Sequence, residues 1–207
     1  RSRELLERLL AGESVAVVSD AGTPLINDPG FRIVNAAIEA GVPVTSLPGP
    51  SAVTTALAAS GLPTASFLYL GYPPRTASKR RRFFSGHTRQ PATLVFYEAP
   101  HRLAATVADL LETLGDRPAC LARNLTKPHE RYQRGRLSQL LAELSAEETV
   151  RGEATVIVGG SSSQTRLWPC CSKTAASGSL ITPATAGSAS ETLAVWPSCA
   201  ATSPMSA

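Results

Sequence analysis

No apolar run in the chain reaches the roughly 18–20 residues that a membrane-spanning helix needs, which excludes one. Cysteine is scarce and badly spaced for metal: Cys120 stands alone, Cys170, Cys171 and Cys199 fall near the end, and no CxxC pair occurs. Neither a disulfide framework nor a zinc site is supported. Charge is also short, at 17% against a norm of about 25%. The shortage is concentrated after Gly160, where Arg166, Lys173 and Glu191 are the charged residues and Ser, Thr, Ala and Pro dominate. Periodicity vanishes there too, so 161–207 is expected to be a disordered tail. The abrupt change, with late Trp and Cys, also suits a reading-frame change near residue 160. No internal repeat is present. Arg1–Leu10 is charged and amphipathic rather than signal-like, so a cytoplasmic location is expected. The chain opens without Met inside a helical pattern, and a preceding amino-terminal part is expected.

What is present supports a packed core: 43% of the 207 residues are hydrophobic. The first 160 residues alternate helical and strand-like patterns. Leu5, Leu6, Leu9 and Leu10 share one side of a helix over 1–11, stopped by Gly12. Ser14–Ser19 and Val42–Leu47 read as short apolar strands of a parallel sheet. Between them a helix over 29–40 is expected, capped by Asp28 and ended by Gly41. An Ala-rich helix, 51–60, and a third strand, 66–70, complete a strand–helix alternation that means a parallel α/β sheet. The partial amino-terminal α/β domain is therefore expected to span 1–71, with Tyr72–Arg75 as a proline-rich linker. Beyond it, 76–160 reads as a smaller mixed α/β domain: a basic helix over 76–86, strands over 92–97, 119–123 and 154–158, helices over 100–114 and 137–144, and an extended arm over 129–135.

Two loops stand where open α/β sheets bind ligands, at strand ends that feed helices. One is Ser19–Gly30, in which Asp20 offers a carboxylate and Gly22 permits close backbone approach. The other is Leu47–Ala52, in which Ser51 and free amides at a helix start can meet a carboxylate or phosphate. Each alone also suits an ordinary turn; two after successive strands converge on one crevice. Neither carries the dinucleotide-binding glycine fingerprint or the P-loop pattern. Glu98, His101 and Arg102 bring acid, base and cation within five residues, and equally suit a helix start. Ala122–Glu130 reads as a substrate-facing loop or a solvated connection. The run Lys79-Arg80-Arg81-Arg82, backed by Arg75, cannot share one helix face. Part of it points at solvent, either as a plain solvated face or as a phosphate-binding patch that positions RNA. The net charge of +4 permits an acidic partner without requiring one.

Together VSDAGTPLINDPG at 18–30, LPGPSA at 47–52, FYEAPHRL at 96–103 and ARNLTKPHE at 122–130 resemble the ribosomal RNA small subunit methyltransferase I family, of the tetrapyrrole methylase superfamily. The likeness runs in unbroken order through GEATVIVGG at 152–160. It implies a two-domain fold, S-adenosyl-L-methionine as methyl donor, and 2′-O-methylation of a cytidine ribose in 16S rRNA of the small ribosomal subunit. It places the donor against Asp20, Ala21, Gly22, Thr23 and Pro24, against Pro48, Gly49, Pro50, Ser51 and Ala52, and against Tyr97. Glu98 and Lys127 become the catalytic candidates, as base and as partner of a developing alkoxide, with His101 and Asp20 alternatives for the base by residue type. Arg75, Lys79, Arg80, Arg81 and Arg82 become the RNA-binding set. A homodimer is compatible with the resemblance, and no membrane partner is expected.

Three departures accompany the likeness. The family's first strand, with its threonine-proline-isoleucine-glycine loop, is expected ahead of Arg1. Asn124 stands where the family usually has glutamate, and Pro128 follows Lys127. The polypeptide alone is therefore expected to be weakly active or inactive. The rival readings are a methyltransferase acting on a tetrapyrrole carbon, a non-catalytic RNA-binding module, and a nonfunctional fragment.

Overall fold

The structure, a computed structural model, describes residues 1–147 and 152–161. Its centre is a five-stranded sheet built from β1 (Phe67–Tyr69), β2 (Thr93–Glu98), β3 (Pro118–Arg123), β4 (Arg131–Arg136) and β5 (Ala154–Val158). The spatial order is β1-β2-β5-β3-β4, with β1 parallel to β2 and every other pairing antiparallel. The chain is thus mixed α/β, with helices on both faces of the sheet.

Alternation along the strands sorts side chains between those faces. Leu94 and Phe96 of β2, Ala119 and Leu121 of β3, and Val156 and Val158 of β5 point one way. They meet Phe84 of α4 (Ala77–Ser85), Leu103, Val107 and Leu110 of α5 (Leu103–Leu114), and Leu137, Leu140 and Leu144 of α6 (Leu137–Ala146). Val95, Cys120, Ala122 and Ile157 point the other way and meet Val53, Ala56 and Leu57 of α3 (Ala52–Ser60). Strands covered on both faces need no polar side, which is why β2 and β5 read as nearly continuous apolar runs. Each Leu or Phe buried this way contributes about 1.5–3 kcal/mol over its exposed state. α3 stops at Gly61, whose φ of 76° is a left-handed cap that a Cβ would penalise.

The remaining helices, α1 (Ser2–Leu10) and α2 (Phe31–Glu39), pack on each other outside the sheet. The expected helices all form, but three local expectations fail. Ser14–Ser19 and Val42–Leu47 are irregular and join no ladder. In the first of these, Val15, Val17 and Ser19 are half-buried while Val18 is 84% exposed, so the apolar run has one covered face and not two. Leu47 is likewise 81% exposed. Strand-forming composition needs a hydrogen-bonded neighbour to become a strand, and among the described residues these segments have none. The strand at 67–69, expected beside them, pairs instead with β2. Asp28 does not cap α2; the N-cap is Gly30, with no side-chain bond to the first turn. The tail expected after residue 160, and the frame change expected there, lie outside the described residues beyond Ser161.

Candidate functional site

A cavity of about 470 Å³ opens where the loop 20–28, the start of α3, the end of β2 and the start of β5 come together. Its geometry starts with the loop. The Ser19 hydroxyl donates to the Gly22 carbonyl at 3.0 Å, and the Thr23 hydroxyl donates to the Pro50 carbonyl at 2.9 Å. That second bond spans 27 residues and ties the two glycine-and-proline loops to one rim. Gly22 takes φ 75°, and Leu25 and Asn27 also take left-handed backbone, at φ 71° and 63°. Non-glycine residues persist in that region only where their surroundings over-determine it.

Asp20, Ala21, Gly22, Thr23, Ser51, Ala52 and Tyr97 all line the cavity. Pro24, Pro48 and Gly49 do not, and Pro50 enters the site through its carbonyl alone. These prolines and Gly49 shape the bends that carry the lining residues: they stand behind the wall. Ser51 is the N-cap of α3 in extended conformation (φ −143°, ψ 122°), yet its hydroxyl makes no capping bond. The hydroxyl is therefore left for a ligand with an anionic group, while the Val53 amide in the first turn of α3 meets the Tyr97 phenol.

Opposite this polar rim stands an aromatic wall. The Tyr97 ring meets Tyr69 edge-on at 5.3 Å between centroids and Tyr72 at 5.5 Å. Burial raises all three phenols above their ordinary range, with neighbouring phenols or carboxylates adding to it for each. They stay protonated through neutral pH. The Tyr97 amide donates to the Gly71 carbonyl at 2.9 Å, which brings Tyr72 to the cavity from the segment expected to be only a linker.

Glu98 also lines the cavity, but its carboxylate is occupied. Oε2 accepts from the Thr106 hydroxyl at 2.6 Å and from Arg102 Nη2 at 3.1 Å, and Oε1 accepts from the Ala99 amide at 2.8 Å. The residue is 2% exposed. The Arg102 nitrogen also donates to the Pro73 and Pro74 carbonyls, so the pair ties the 72–75 segment to the cavity floor. A carboxylate held by three hydrogen bonds is suited to anchoring the wall, and the expected role of base competes with those bonds. Lys127 is not on the wall either: its Nζ pairs at 2.8 Å with Glu153, which is. His101 is exposed and lines nothing.

The basic run is sorted by the fold. Arg80, buried at 4% exposure, is ion-paired to Asp109 of α5, with Nε to Oδ2 at 2.7 Å. Arg81 reaches the other Asp109 oxygen at 3.0 Å. Arg80 is thus removed from any RNA-binding set, because its charge is neutralised inside the protein; Arg75, Lys79 and Arg82 are exposed.

Asn27, Asp28, Tyr72, Glu153 and Thr155 join the lining without having been singled out as ligand contacts from sequence. The signal available for Tyr72 was an aromatic beside two prolines, and for Glu153 an acid just ahead of an apolar strand. Among the described residues no helix is long and apolar enough to cross a membrane, and no cluster of three or more His, Cys, Asp or Glu side chains is arranged for a metal ion.

Residues 1–141 match the family model of tetrapyrrole (corrin/porphyrin) methylases, and the chain belongs to that family. The solved methyltransferase CobJ has the same fold, with a TM-score of 0.56 at 23% identity over 77% of this chain and 70% of that one. Nearer relatives narrow the assignment. The ribosomal RNA small subunit methyltransferase I of Micromonospora olivasterospora is 56% identical over 161 residues, covering 78% of this chain and 51% of the relative. That of Thermotoga maritima is 40% identical over 160 residues, covering 77% and 71%. Within the family, the chain's place is with the ribosomal RNA small subunit methyltransferases I. It spans about half the length of most of the curated relatives it matches.

Proposed function

We propose that the cavity holds S-adenosyl-L-methionine and that the protein serves 2′-O-methylation of a cytidine ribose in 16S rRNA of the small ribosomal subunit, in the cytoplasm. The observation that carries this reading is the Thr23–Pro50 hydrogen bond, which makes one rim of two loops. The donor set suits a nucleoside that carries an amino-acid group. A volume of about 470 Å³ lies within the range of small-molecule pockets, about 300–1,000 Å³. Asp20 and Asp28 supply carboxylates for hydroxyls or an ammonium, the Ser51 helix start suits a carboxylate, and the tyrosine wall suits a flat ring.

Bound there, the donor supplies a methyl already activated by its positive sulfur. What remains for the chain is positioning: holding the accepting hydroxyl in line with that methyl accounts for most of the acceleration such a site offers. Glu98, through Arg102 and Thr106, holds the wall in place. Lys127, paired with Glu153 at the edge of the cavity, is placed to meet an incoming phosphate or a developing alkoxide when that exposed pair opens.

The test is calorimetric titration of the chain with S-adenosylhomocysteine, alongside thermal melts. Saturable heat is expected, with a stabilisation that grows with ligand to about 2.7 kcal/mol at a hundredfold excess over Kd. Absence of both heat and melting shift overturns the reading.

A further inference from the structure

Between Glu39 and Glu98 the chain contains no acidic residue, while Arg75, Lys79, Arg80, Arg81, Arg82 and Arg89 all fall in that interval. The fold uses two of these cations internally. Arg80 is buried against Asp109, and Arg81 bridges Asp109 and Glu112. Lys79, Arg82 and Arg89 are exposed, and among the described residues none of them has a carboxylate partner.

Two of these three also share a helix side. Lys79 and Arg82 are one turn apart on α4, and hydrogen-bonded turns carry the chain on from Gly86 through Thr88 to Arg89 without an extended break. A spacing of three keeps Lys79 and Arg82 on one side of α4, and Arg89 follows in the turns past the end of the helix at Ser85.

Two buried arginines hold that side rigid. Arg80 ties α4 to α5, and also donates to the Arg75 carbonyl at 3.1 Å. Arg117 donates to the carbonyls of Leu114, Gly159 and Thr88, pinning the turn that carries Arg89 to the end of β5. The backbone that carries the three cations is thus fixed, so that only their side chains remain to be ordered when they meet a partner. Tyr72 lines the cavity, Arg75 follows three residues on, and α4 begins at Ala77; from there the basic run leads away from the cavity, because Thr88 and Arg89 sit by Gly159, past the end of β5, while the cavity opens at its start.

We infer that Lys79, Arg82 and Arg89 form a phosphate-binding track that seats the RNA backbone as it leads away from the cavity, without reading its sequence. The choice of RNA as the polyanion rests on the function proposed above. The helical rise from Lys79 to the end of α4 at Ser85 makes about 9 Å, a span of about three base steps along one strand, before the turns that lead to Arg89.

The experiment measures binding of a 20-nucleotide single-stranded RNA between 50 and 200 mM salt. It compares the unmodified chain, the triple variant Lys79→Ala, Arg82→Ala, Arg89→Ala, and a charge-matched triple variant Arg1→Ala, Arg3→Ala, Arg8→Ala at α1. The first triple is expected to lower the log–log salt slope by about 2, at about 0.7 for each phosphate that is no longer neutralised. The α1 triple is expected to leave the slope unchanged, and Lys79→Arg, Arg82→Lys, Arg89→Lys to retain it. Equal loss in both alanine triples, an unchanged slope in the first, or equal affinity for polyglutamate of the same charge overturns the inference. Titration with S-adenosylhomocysteine on the same variants separates the two readings: intact donor binding with an unchanged RNA slope defeats this track alone.

Discussion

The Arg80 guanidinium donates through Nε to Asp109 Oδ2 at 2.7 Å, with the two side chains 5% and 7% exposed. Four adjacent cations on a nine-residue helix meet one buried carboxylate, and that carboxylate decides which of them is structural. Removing it strands Arg80 in a dry site. Asp109→Ala is therefore expected to destabilise the protein by about 3–5 kcal/mol, the range for breaking one side of a buried pair. Urea unfolding checks this. A loss below about 1 kcal/mol would mean that Arg80 finds water when its partner is gone.

The elements that were legible from sequence are those whose signals are local. β5 is visible as Ala154–Val158 because a short run rich in β-branched residues, four of its five apolar, reads as a strand covered on both faces. α3 is visible because Pro48 and Pro50 precede it and Gly61 closes it. The partner of β1 was not legible, since pairing Phe67 with Thr93 joins residues from distant parts of the chain. Nor was the fate of Arg80, because Asp109 lies 29 residues away. Of the site, the two loops were visible as glycine-and-proline bends between apolar runs and helices, whereas Tyr72 was masked by the two prolines that follow it.

The Thr23 hydroxyl is the link between the loops, and it is testable apart from stability. Thr23→Val keeps the shape and removes the donor to Pro50. A single neutral hydrogen bond at a partly exposed rim contributes about 0.5–1.5 kcal/mol, so the melting temperature should barely move. Donor affinity should fall several-fold, because the rim is no longer pre-arranged. Unchanged titration with S-adenosylhomocysteine would show that the loops hold their places without this bond.

Glu98 separates an anchor from a base. In Glu98→Gln one oxygen acceptor is replaced by an amide donor that faces the hydrogens of Thr106, Arg102 or Ala99. The expected outcome is a stability loss of about 1–3 kcal/mol, with weaker donor binding as the 98–100 wall shifts. Denaturant melts and calorimetry read these together. A variant as stable as the parent, and with unaltered donor binding, would return Glu98 to the role of proton acceptor.

Glu147 gives a pH dependence with a definite sign. Its carboxylate accepts from Arg123 at 2.8 and 3.0 Å and from Arg131 at 3.1 Å. The Arg123 hydrogen bonds, chiefly, hold it below the usual carboxylate range. A depressed value in the folded state means that the unfolded chain binds the proton more readily, so folding gains from this group above the unfolded value near 4.5. The gain is lost as pH falls through the lower folded value. The stability difference between the parent and Glu147→Gln is therefore expected to be largest at neutral pH and to shrink below about pH 4.5, where both forms carry a neutral side chain. Paired urea melts from about pH 7 to about pH 3 measure it. Salt should reduce the Arg131 share more than the Arg123 share, because Arg131 is 54% exposed and Arg123 9%. A difference that stays constant across this range would show that the guanidinium groups do not favour the ionised form of Glu147, and the cluster would then be packing alone.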